Sequence, residues 1–136
     1  MTAYWLVKSE PGAWSWDDQV RDQVTAWTGV RNHQAAKYLK TMRLGDLCFF
    51  YHSVEQKRIV GLVEVVREAY PDPTAETGNW VCVDVKAVRP APKPVTLAQI
   101  KDEPRLADIA LIRQSRLSVM PIAPEHWQVL SGMTGL

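Results

Sequence analysis

The side chains best suited to nucleophilic or metal chemistry are Cys48, Cys82, His33, His52 and His126, and their spacing works against both. The three histidines stand alone, without the close His, Cys or carboxylate neighbours of a metal site. Cys48 and His52 point to one face of a regular strand, but four residues at about 3.3 Å rise set them about 13 Å apart, against the roughly 3 Å that base activation needs. There is no glycine-rich phosphate cradle, no Gly-x-Ser-x-Gly elbow and no carboxylate with an obvious catalytic partner. Glu64, within an apolar strand, is better suited to accepting buried hydrogen bonds, and Glu10 to ordering its turn. The expectation is a chain with no catalytic residue, no metal and no cofactor.

What the spacing does favour is binding. Lys8, Ser9 and Glu10 fall at a strand end, Trp27 in a loop, Asn32 at a helix N-terminus, Tyr51-His52-Ser53 at a hairpin end, and Arg116-Leu117-Ser118 near a last strand. Aromatic faces stack on nucleobases for about 1–3 kcal/mol each, and Asn, Ser and backbone groups read a base edge. Arg31, Lys37, Lys40, Arg43, Lys57 and Arg58 are candidates to meet phosphate around such a site. The plainer alternative is core tryptophans, a helix cap and a solvated basic face, and composition alone favours it. Six tryptophans are nevertheless more than one small core requires.

These residues hang on a central hairpin. Gly45–Val66 contains two apolar runs, Leu47–Tyr51 and Ile59–Val66, joined by a polar loop over Ser53–Arg58. Alternation places Leu47, Phe49 and Tyr51 on one face and Cys48, Phe50 and His52 on the other, so the first strand is apolar on both sides and must be covered on both. Before it, Tyr4–Lys8 reads as a strand, Ser15 with Asp18 caps a helix over Trp16–Arg21, Val24–Val30 reads as a loop, and Asn32 caps a helix from His33 to about Arg43. In that helix Ala35, Leu39 and Met42 form the inward stripe. After the hairpin, Tyr70–Asn79 reads as a surface loop, Trp80–Val88 as a strand, and Arg89–Pro94 as an extended connector. Thr96 with Gln99 caps a helix over Leu97–Lys101, Arg116–Ile122 is a last strand, and Pro124 opens a helix ended by Gly132. This order, without a βαβ rhythm, predicts an α+β fold, a small curled sheet or barrel flanked by short helices.

The totals agree with one domain over residues 1–136. A net charge of +1 excludes a polybasic tail and leaves room for a local basic patch. Both cysteines lie in apolar runs without a disulfide pattern, and no apolar run approaches the roughly 18 residues of a membrane helix. A cytoplasmic protein with no membrane partner is expected.

The motifs YWLVKSEP, WTGVRNHQA, GDLCFFYHS, IVGLVEVVREAYPDPT, PVTLAQIK and LIRQSRLSV resemble the EVE domain family, and the resemblance runs along nearly the whole chain. It implies a PUA-like β-barrel flanked by helices, related to the YTH domains that read methylated adenine in RNA. The family is implicated in binding modified bases such as 5-methylcytosine, 5-hydroxymethylcytosine or N6-methyladenine. By that similarity Lys8, Ser9, Trp27, Asn32, Tyr51, His52, Ser53, Arg116 and Ser118 match the family's pocket motifs. Trp14, Trp16, Tyr51 and Phe50 are the candidates for further walls. His33 and Met120 depart from the Tyr and Gln of relatives, positions expected to tune the pocket. The expected function is a non-catalytic reader that takes a modified base of DNA or RNA into an aromatic-walled pocket. Arg31, Lys37, Lys40, Lys57 and Arg58 would meet phosphate. The alternative is a sensor or enzyme using the same pocket on a free nucleoside or nucleotide.

Overall fold

The computed structural model describes residues 2–136. Strand β1, Tyr4–Ser9, is followed by helix α1, Trp16–Asp22, whose start is a reciprocal capping box: the Ser15 hydroxyl accepts from the Asp18 amide and the Asp18 carboxylate from the Ser15 amide. Next come β2 (Val24–Ala26), α2 (His33–Thr41), β3 (Leu47–His52), β4 (Arg58–Pro71) and β5 (Val81–Thr96). A second capping box on Thr96 and Gln99 opens α3, Leu97–Lys101, as their spacing predicts. A 3-10 turn at Pro104–Leu106, α4 (Ala110–Arg113), β6 (Val119–Pro121) and α5 (Pro124–Thr134) complete the chain.

All six strands form one sheet in the order β2-β5-β4-β3-β1-β6. β3 is interior, antiparallel to β4 and parallel to β1, and it is covered on both faces as its apolar pattern demands. On one face Phe49 stacks on Trp127 of α5 at 3.9 Å, and Trp127 in turn stacks on Tyr4 at 4.4 Å. On the other, Phe50 takes the edges of Trp16 at 5.3 Å and Trp27 at 5.5 Å. Trp27 follows β2, an edge of the sheet, yet touches β3 three strands away, so the sheet curls strongly. The hydrogen-bonded ladder nonetheless ends at β2 and β6. The architecture is α+β with a curled, open sheet, and the ladder does not close into the expected barrel.

Other differences have local causes. The expected loop over 24–30 begins with β2, which pairs with Val85 and its neighbours in β5. A three-residue edge strand has too little alternation to announce itself, and tertiary pairing creates it. The proline-rich 89–94 segment belongs to β5, where the register jumps from Gly61↔Pro90 to Ile59↔Val95. The extra residues bulge, which accommodates prolines that cannot donate to the ladder. Arg116 to Ser118 precede the short β6. α5 runs through Gly132 and stops at Gly135, whose φ of 81° caps it.

Gly61 in β4 carries the ring of Trp16. A Cβ built there would lie 2.5 Å from the Trp16 Cζ3 atom. Gly61→Ala is therefore expected to destabilise the fold by about 1–3 kcal/mol through overpacking. Gly132, where a Cβ meets nothing within 4 Å, should accept alanine without loss. Urea unfolding of the two variants beside the parent checks this, and equal midpoints for both would refute it.

Candidate functional site

A cavity of about 300 Å³ opens where the two edges of the sheet face each other. β1 contributes Lys8 and Ser9, the following turn Glu10 and Trp14, β2 Thr25 and Ala26, the next loop Trp27 to Asn32, and the approach to β6 Ser118. The volume lies at the lower end of the roughly 300–1,000 Å³ of small-molecule sites. Both indoles at this cavity are rigidly mounted. Trp27 is 7% exposed, set edge-on against Phe50, with its amide donating to the Val83 carbonyl at 2.7 Å. The loop sequence alone gave no sign of that burial. The Trp14 indole donates to Gln19 Oε1 at 3.0 Å, and Gln19, fully buried, donates to the Gln23 carbonyl. The Ser9 hydroxyl donates to the Trp14 carbonyl at 2.6 Å.

The loop that carries Trp27 is held by a residue that does not line the cavity. Asp72, its side chain wholly buried, accepts from the Gly29 amide at 2.9 Å, the Arg31 guanidinium at 3.0 Å, and the Thr74 amide and hydroxyl at 2.7 and 2.6 Å. Gly29 has a φ of 84°, a left-handed conformation that glycine adopts without strain. Burial alone raises the Asp72 pKa. The hydrogen bonds from the Thr74 hydroxyl, the Gly29 and Thr74 amides and Arg31 outweigh it and hold the carboxyl down at about 2. In the sequence this aspartate lay in a Pro-Asp-Pro-Thr run that read as a surface loop. Its one legible signal was a threonine two residues on, the spacing of an Asx turn.

Asn32 caps α2, its Oδ1 accepting from the Ala35 amide at 2.9 Å. Among the described residues no acceptor meets its Nδ2 group, which remains a donor at the cavity mouth. Lys8 is half-buried and donates through Nζ to the Ser115 carbonyl at 2.9 Å, and burial lowers its pKa.

The residues singled out in the sequence divide among several places. Lys8, Ser9, Trp27, Arg31, Asn32 and Ser118 line the cavity, with Trp14 as a second aromatic wall. Tyr51, Ser53 and Lys57 line a separate depression shared with Lys8, and Arg116 a third shared with Asn32. His52 borders none of these. It is buried, its Nε2 accepts from the Trp16 amide at 2.9 Å and its Nδ1 faces Gln56 Oε1 at 2.6 Å, so it fixes the start of α1. Arg58 bonds Gln56 at 3.2 Å, Lys37 is exposed on α2, and Lys40 borders a recess with His33 and Trp80. The two departures from the family lie outside the cavity lining: His33 stacks on Trp80 at 4.8 Å, and Met120 is fully buried in β6. Burial, with the Asp46 charge nearby, pushes the Cys48 thiol up, which makes it an inert core residue. Among the described residues there is no cluster of three metal-ligating side chains, and no helix is long and apolar enough to cross a membrane.

A profile of the EVE domain matches residues 3–133. The chain belongs to the EVE domain family. Thymocyte nuclear protein 1 is 35% identical in Gallus gallus, over 91% of this chain and 65% of that protein. In Homo sapiens it is 33% identical, over 93% and 72%. The chain thus spans about two thirds of the length of these relatives. Among solved structures, Rpa0253 from Rhodopseudomonas palustris superposes with a TM-score of 0.93 at 57% identity, over 98% of this chain and 94% of that one. Human THYN1, solved in complex with 5-methylcytosine-containing DNA, superposes with a TM-score of 0.88 at 31% identity, over 99% of both chains.

Proposed function

We propose that this EVE domain is a non-catalytic reader that takes an extruded, modified base of a nucleic acid into the cavity between Trp14 and Trp27. The observation that carries the reading is the mounting of Trp27: a largely buried indole held edge-on against Phe50 in the core that also lines a base-sized recess. The THYN1 complex supports DNA containing 5-methylcytosine as the first ligand to test. 5-Hydroxymethylcytosine, N6-methyladenine and RNA strands follow. The curled sheet, in this reading, is an open variant of the PUA-like barrel, with the recess at its seam.

The chemistry explains why aromatic walls are needed. Burying one methyl group is worth about 0.8 kcal/mol, roughly fourfold in affinity, so useful discrimination requires a close-fitting wall on which the whole base stacks. A base enters such a recess only after leaving its duplex stack, or from a single strand. Trp14 and Trp27 supply the faces, and the Asn32 amide and the Ser118 hydroxyl meet the base edge.

Calorimetric titration with matched short oligonucleotides tests this. The 5-methylcytosine strand is expected to bind several-fold more tightly than its unmodified twin, with affinity falling as salt rises. Equal affinity for modified and unmodified strands across the three modifications, in both DNA and RNA, overturns it. Tight binding of a free modified nucleoside with a flat salt response would assign the same recess to a small-molecule sensor.

A further inference from the structure

Two depressions flank the cavity, and each shares a residue with it. Asn32 is common to the cavity and to a cleft of about 360 Å³ that holds Gln34, Arg113, Gln114 and Arg116. Lys8 is common to the cavity and to the depression of Tyr51 and Lys57. Ser115 belongs to both flanking recesses, and its carbonyl takes the Lys8 Nζ bond at 2.9 Å. The three recesses are therefore neighbours, set around that bond.

We propose that the cleft of Arg113 and Arg116 is the subsite for the phosphodiester next to the extruded base. This rests on the reader function proposed above and assigns its backbone contact. The state of the neighbouring cations decides among the candidates. Arg31, at the cavity rim, is committed: its guanidinium bonds Asp72, Thr74 and the Val30 carbonyl. Lys8 is half-buried, depressed in pKa and bonded to Ser115, so it braces the rim. Arg116 is exposed and, among the described residues, pairs with no carboxylate. Among the described residues Arg113 pairs with Asp108 alone, through side chains 65% and 77% exposed, a screened contact that a phosphate can replace. Among the described residues no carboxylate lines the cleft, and Gln34 and Gln114 add neutral amides suited to phosphate and sugar oxygens. A flipped nucleotide draws its adjoining phosphates onto the protein surface beside the pocket mouth. Two guanidiniums joined to that mouth through Asn32 match them in charge and in fork geometry.

The test compares the parent with Arg113→Ala/Arg116→Ala on modified and unmodified oligonucleotides over a range of salt. The double variant is expected to bind both strands more weakly by the same factor, about tenfold or more at low salt. Its slope of log affinity against log salt should be shallower by about one to two units, with the preference for the modified strand unchanged. The double lysine variant should recover most of the slope. An unchanged slope overturns this subsite while leaving the reader function intact. A parent that binds both strands equally, but whose slope falls in the double variant, overturns the reader function and keeps the backbone subsite. Both side chains are exposed and a thermal melt verifies that the variants are folded, so binding is read on native protein.

Discussion

Trp27→Ala is expected to abolish the preference for a modified strand and to weaken oligonucleotide binding roughly 5- to 150-fold, the equivalent of about 1–3 kcal/mol of lost stacking. The same change removes a ring packed on Phe50 and should cost the fold about 3 kcal/mol, the low end for a buried tryptophan because one side of the ring borders a cavity. The two effects separate by experiment. Thermal melts define the temperature range in which the variant is folded, and titrations are made there. Trp27→Phe keeps a smaller aromatic wall and should restore most of the stability and part of the preference. Trp14→Ala provides the complementary case. Trp14 is only partly buried and interacts with Gln19 and, across 5.9 Å, Arg21, so its loss should weaken binding with a smaller cost to stability. A folded Trp27→Ala protein that discriminates as well as the parent would show that this wall does not read the base.

What could be read in the sequence was whatever obeys short-range rules. The capping boxes at Ser15 and Thr96 and the Asn32 cap appear where their spacing predicts, because each joins a side chain to an amide three residues on. The hairpin was legible because a strand apolar on both faces has few alternatives to the interior of a covered sheet. The contacts that build the cavity are long-range and left no periodic signal. Trp27 is buried by Phe50, Gly29 is pinned by Asp72, and the parallel pairing of β1 with β3 carries Lys8 beside Tyr51. Strand geometry also explains why Tyr51-His52-Ser53 does not act as one unit. Successive side chains of β3 point to opposite faces, so His52 joins Phe50 and Trp16 while Tyr51 turns toward Lys8. A linear motif concealed this division, and the same holds for Arg116 and Ser118, which border different recesses.

Asp72→Asn is expected to destabilise the protein by about 2–3 kcal/mol at neutral pH and to weaken ligand binding without touching the cavity. Asparagine keeps the shape but replaces one acceptor oxygen by a donor, which then faces the amides and hydroxyl that Asp72 satisfies. The effect on binding follows from the loop: with Gly29 and Arg31 released, Trp27 and Asn32 lose the frame that sets their positions. The pH dependence gives a second readout. The folded carboxyl titrates at about 2, below the roughly 3.9 of an unfolded aspartate. Its contribution to stability is therefore fully present above about pH 4 and is lost as pH falls toward 2, a loss of about 2 kcal/mol. The gap in stability between parent and Asp72→Asn should accordingly be wide at pH 7 and narrow as pH falls through that window. Urea unfolding at a series of pH values measures the gap, and hydrogen exchange at the Gly29 amide reports whether the loop has come free. A gap that stays constant from pH 7 to 2 would mean that the carboxylate charge is not what holds the Trp27 loop in place.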